Sequence, residues 1–71
     1  MPLVTVRIAR RDKPTSAEQK AALIAGITDV VQTTLDKRRE SITVIIDEVD
    51  ADNWGEGGLS VMRHRAARTA G

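Results

Sequence analysis

The sequence predicts an α+β fold: a β-α-β unit with two parallel strands, a C-terminal hairpin, and further copies of the chain to complete it. Three observations carry that expectation. Two short β-branched runs flank one stretch of helical periodicity. Both faces of the second run carry apolar residues, more than a single helix can cover. The chain has 71 residues and no cysteine; a domain of that size buries only about 60% of its unfolded surface and is marginal alone. Disulfides, metals or partner subunits usually compensate, and the first two are unavailable to a chain with no Cys and one His.

The elements follow in order. "LVTVRIA" alternates, with Val4, Val6 and Ile8 on one face and Leu3, Thr5 and Arg7 on the other; Pro2 shares the parity of Val4. "RRDKP" ends the strand, since Pro14 cannot donate to a ladder. A helix starts at Thr15 or Ser16, both of which satisfy capping-box spacing, with Glu18 and Gln19 respectively. Leu23, Ile24, Ile27, Val30, Val31 and Leu35 form its apolar stripe. Gly26 lies inside that stripe, which close packing on the sheet would explain. "DKRRE" closes the helix with positive charge, favourable at a C-terminus. "SITVIIDEV" is the second strand, with Ile42, Val44 and Ile46 on one face and Ile45 and Val49 on the other. About 20 residues of helix between two strands suit a crossover joining parallel neighbours. "DADNWGEGG" is rich in turn residues and precedes "LSVM", which could pair as a hairpin strand. The remainder is basic and small, so 62–71 reads as a flexible or interface tail of a single domain spanning 1–71.

Composition removes several function classes. A formal net charge of +1 gives no electrostatic motive for nucleic acid. No apolar run approaches the ~20 residues of a membrane span, and the opening residues are not a signal peptide, so a cytoplasmic protein is expected. No metal site is expected: Asp47, Glu48, Asp50 and Asp52 do not have Ca²⁺-loop spacing, and His64 reads as a surface residue of the tail. "GEGG" is not a phosphate loop, because it lacks the Lys-Ser/Thr ending and opens no helix.

Met-Pro before a strand, a helix opening with "EQK", a "VII-E" strand and an Asn-Trp-Gly-x-Gly-Gly turn together resemble the 4-oxalocrotonate tautomerase family. The resemblance covers about residues 2–61, with one insertion before the helix. It implies a β-α-β subunit paired into dimers and assembled as a hexamer, no cofactor, a small carboxylate substrate, and a place in aromatic compound catabolism. It also implies a catalytic Pro2, freed by loss of Met1. The chemistry suits the residue: a terminal proline is a secondary amine, α-amino groups titrate at about 7.7–8.0, and desolvation or nearby cations lower that value. The result is a base poised near neutral pH.

The resemblance calls for two arginines. The first falls in the loop "ARRDKPT", on Arg11 or, in reserve, Arg10; Arg's planar fork suits a substrate carboxylate. The second would lie in the second strand, where this chain has Thr43, itself a candidate substrate contact. Arg38 and Arg39 lie a few residues earlier and could reach in from the loop, Arg39 being the candidate, although the helix end and solvent are their expected partners. A monocarboxylate is therefore favoured over a dicarboxylate. Trp54 matches the aromatic at the mouth of the family's site, while also suiting a subunit interface. Glu56 stands where most tautomerases have an apolar residue and resembles the turn glutamate of relatives that hydrate or dehalogenate unsaturated acids. Three functions follow: a keto-enol tautomerase with Pro2 as base; a hydratase or dehalogenase with Glu56 activating water and protonated Pro2 as acid; or a non-catalytic subunit of a hetero-oligomer.

Overall fold

In the computed structural model, which describes the backbone of residues 1–70 and the side chains of residues 1–67, β1 (Leu3–Ala9) leads into α1 (Ala17–Leu35) and then β2 (Thr43–Val49). A two-stranded hairpin of β3 (Gly55–Glu56) and β4 (Leu59–Ser60) follows, and α2 (Val61–Ala70) ends the described chain. The strands β1 and β2 are parallel, in register from Leu3 opposite Thr43 to Ala9 opposite Val49. The hairpin turns through Gly57 (φ 61°) and Gly58 (φ 87°), positions at which a Cβ would strain the backbone.

Both ends of α1 are set by side chains. Ser16, not Thr15, is the N-cap: its Oγ accepts from Gln19 N (3.1 Å), and Gln19 Oε1 accepts from Ser16 N (2.9 Å), a complete capping box. Thr15 instead turns toward the sheet. The helix stops when Asp36 enters the left-handed region (φ 52°), one residue before the basic run. The last turn therefore has no basic residue, and the expected charge-dipole closure is replaced by a backbone C-cap, Asp36 N to Gln32 O. Lys37 N reaches the same oxygen at 3.3 Å.

The strand parity expected from the sequence holds. Val4, Val6, Ile8, Val44 and Ile46 are part-buried, while Leu3, Thr5, Arg7, Thr43, Ile45 and Asp47 stand exposed. Val4 lines an open apolar trough of about 370 Å³ with Ala22, Leu23, Gly26, Ile27, Val30 and Val31, so α1 covers the Val4 face. Gly26 is not explained by close packing within the subunit, because a Cβ there would meet nothing within 4 Å. The stripe also faces two ways: Ile27 and Val31 are part-buried, whereas Val30 (64% exposed) and Leu35 remain open. The buried residue of α1 is Thr28, whose hydroxyl donates to Ile24 O (2.6 Å); bonding back into the helix lets a threonine occupy that place.

Ala51 and Thr28 are the residues buried below a tenth of their surface among those described. The accessible surface is 5558 Å², against about 4,300 Å² expected from the surface scaling of folded monomers of this mass. One protomer therefore leaves much apolar surface uncovered, on both the trough and the Leu3–Ile45 face.

The C-terminal region departs from its expected form. Pairing in "LSVM" stops at Ser60, and residues from Val61 onward form α2 rather than continuing the strand or fraying. Val61 N donates to Trp54 O (2.7 Å), so the helix begins against the hairpin. Gly71 lies outside the described residues.

Candidate active site

The sequence-predicted site residues fall at two opposite ends of the β1–β2 pair. Pro2 sits at the start of β1, part-buried, with its carbonyl accepting from Thr43 N at 3.0 Å. Proline suits that place because it has no N–H to leave unpaired. Met1 before it is 99% exposed. Thr43 is exposed and opens β2 directly beside Pro2.

Arg38 and Arg39 lie at the same end but are engaged elsewhere. Arg39 Nη1 donates to Asp29 Oδ1 (2.6 Å) and Gln32 Oε1 (3.2 Å) on α1. Arg38 Nε lies 3.6 Å from Glu40 Oε2.

Arg11, Trp54 and Glu56 gather at the other end. They line one cavity of about 400 Å³ with Ala9, Val61, His64 and Arg65. Arg10, the reserve choice, is committed: its Nη1 meets Asp50 Oδ1 at 2.8 Å, and its backbone N bonds Val49 O at 2.7 Å. Arg11 has no hydrogen bond or ion pair among the described residues, and its guanidinium is the available cation of the pair. Trp54 is part-buried and supplies the cavity's aromatic wall.

A seven-residue strand rising about 3.3 Å per residue puts Pro2 roughly 23 Å from this cavity. One protomer does not bring Pro2 and Arg11 together.

Sequence reasoning passed over Glu48 and misjudged His64. Glu48 lies on the helix-covered face of β2, with its side chain only 6% exposed. It accepts from Thr15 N and Thr15 Oγ1, both at 2.9 Å, and from Lys20 Nζ at 3.2 Å. The Thr15 backbone donor above all, helped by the Thr15 hydroxyl and Lys20, lowers its pKa to about 2 despite desolvation. Strand parity, which places Glu48 with Val44 and Ile46, was the signal that it faces inward. His64 is not a plain surface residue: it is part-buried, and its Nε2 lies 3.0 Å from Glu56 O. No group of three or more His, Cys, Asp or Glu able to hold a metal occurs among the described residues, and no helix there is long and apolar enough to cross a membrane.

Comparison with known proteins agrees with this architecture. The family model for "Tautomerase enzyme" matches residues 2–63. The probable tautomerase K2 of Dickeya dadantii (strain 3937) is 49% identical over 65 residues, covering 92% of this chain and 94% of its own. The crystal structure of DmpI from Helicobacter pylori aligns with a TM-score of 0.83 and 40% identity, over 92% of this chain and 97% of that one. A structure from the 4-oxalocrotonate tautomerase isozymes of Methylibium petroleiphilum gives a TM-score of 0.83 at 26% identity, over 93% and 98% of the two chains. A β-α-β unit with parallel strands and a C-terminal hairpin, matched over nearly its whole length by such relatives, places this chain in the tautomerase family.

Proposed function

We propose that the chain is a cofactor-free keto-enol tautomerase acting on a small 2-oxo acid, with Pro2 as general base after removal of Met1. The neutral secondary amine takes the enol O–H proton. The C=C electron pair then takes a proton from the ammonium at carbon, the C=O forms, and the amine is regenerated. Proton transfer by a placed side chain contributes about 10²–10⁴-fold. The fully exposed Met1 supports its removal, which breaks no packing.

The observation that carries this reading is the cavity shared by Arg11, Trp54 and Glu56, with the Arg11 guanidinium unengaged among the described residues. Arg11 would hold the substrate carboxylate through paired N–H donors, and Trp54 would cover the planar enol. Because about 23 Å of strand separates the two ends, the working site combines Pro2 of one copy with Arg11 and Trp54 of another. The uncovered trough and Leu3–Ile45 face supply surfaces for such contacts. A homohexamer, as in the family resemblance, is the assembly to test by sedimentation. A monocarboxylate is favoured, since Thr43 carries no charge and Arg39 Nη1 is already bound to α1.

The test is a spectrophotometric screen of enol acids with a protein whose N-terminus has been checked by intact mass. Full retention of Met1, or no turnover of any enol, would remove the basis for this function. Glu56 on the cavity wall favours one second reading, a hydratase or dehalogenase in which Glu56 activates water and protonated Pro2 is the acid. The pH profile separates them: activity rising as the amine loses its proton fits the base, and activity falling fits the acid.

A further inference from the structure

Helix α2 makes three hydrogen bonds to the backbone of the segments that wall the cavity. His64 Nε2 lies 3.0 Å from Glu56 O. A carbonyl oxygen only accepts, so this nitrogen carries the proton and donates. Val61 N holds the neighbouring carbonyl of Trp54 at 2.7 Å. On the other side, Arg65 Nη1 donates to Arg10 O at 3.0 Å, at the residue before Arg11. Backbone carbonyls fixed at residues 10, 54 and 56 set where Arg11, Trp54 and Glu56 stand. Glu56 pairs with Leu59 across the hairpin, but Gly57 and Gly58 follow immediately at positive φ, so the His64 contact adds a tether to the short ladder at the turn.

We propose that His64 is a positioning residue, whose donated hydrogen bond to the Glu56 carbonyl fixes the Trp54–Glu56 turn over the substrate cavity. It acts through the turn and takes no part in proton transfer. The link to substrate binding rests on the tautomerase reading above; the link to turn geometry does not. Trp54 is the sole Trp, and Tyr and Phe are absent, so intrinsic fluorescence reports on this turn alone.

The experiment compares full-length wild type, His64→Ala and His64→Gln in Trp54 emission and in KM and kcat on an enol acid turned over by the wild type. Glutamine's amide N–H can take the place of Nε2 as donor. His64→Ala is expected to red-shift Trp54 emission and raise KM about five-fold, the size of one neutral hydrogen bond, with kcat within about two-fold. His64→Gln is expected to restore both. Wild-type emission in His64→Ala, or a glutamine variant as impaired as the alanine one, would overturn the assignment. If the wild type turns over no enol, the tautomerase reading fails while the emission comparison still decides the positioning role.

Discussion

The two ends of the β1–β2 pair are furnished very differently. At the start of β1, Pro2 has one backbone partner, Thr43 N, and Met1 projects into solvent. At the far end, Arg10 meets Asp50, Glu48 meets Thr15 and Lys20, and α2 ties Arg10, Trp54 and Glu56 together. A base needs a clear amine and little else, whereas a binding pocket needs several groups held at once. Under the proposed function, the division would mean that reactive and binding groups are built separately at the two ends of one short strand and are united by association.

The most severe way to break the comparison is at the sparse end. Acetylating Pro2, or retaining Met1, is expected to lower kcat/KM by about 10²–10⁴-fold, measured against protein of verified N-terminal mass. Arg11→Ala is expected to raise KM some ten-fold or more, the scale of a charge-assisted hydrogen bond, while Arg10→Ala changes KM little because its fork already serves Asp50. Equal effects would mean that the cavity assignment is wrong.

Mixing tests whether the ends meet between copies. Arg11→Ala and an N-terminally blocked protein, each impaired when assayed well below the variant's KM, should regain wild-type activity at about a quarter of sites when unfolded and reassembled together, by random pairing across a symmetric interface. No recovery from a properly reassembled mixture would mean that both groups come from the same copy.

Glu48 gives a pH-dependent prediction. Its folded pKa of about 2 lies below the ordinary 4.5, so the stability it contributes is complete above pH 4.5 and is lost as pH falls toward 2. Denaturant melts at neutral and acid pH should show Glu48→Gln less stable than wild type at neutrality, with a smaller loss on acidification. The smallest effect is expected at Gly26. In an isolated protomer Gly26→Ala meets no atom and gains about 1 kcal/mol of helix propensity. If another copy fills the trough, the added methyl instead weakens association, seen as dissociation at higher protein concentration.

Much of this architecture was legible in the sequence. Period-two alternation fixed which strand residues face α1, and the parallel pairing, though not its register, follows from a helix between two strands. Thr15 and Ser16 both fitted a capping box; only the Glu48 carboxylate, 33 residues away, decides that Thr15 turns inward. Asp36 ended α1 through a left-handed conformation that charge patterning does not reveal. The tail read as flexible or as an interface element because "RHRAARTAG" is basic and small; its helix meets the hairpin and the loop after β1. Pro2, Arg11 and Trp54 stood out through the ordered family motif. Their distribution over two strand ends, and the place of His64 beside Trp54 and Glu56 at the far one, required tertiary geometry.

The protomer's shortage of buried residues has a consequence for dosage. A subunit in which only Ala51 and Thr28 are buried among the described residues would owe its persistence to mass action, since association-dependent folding makes stability a function of chain concentration. Where the assembly also builds the site, dilution removes stability and activity together. Output would then rise more steeply than the number of chains made, so that a small change in expression acts as a threshold rather than a proportional control.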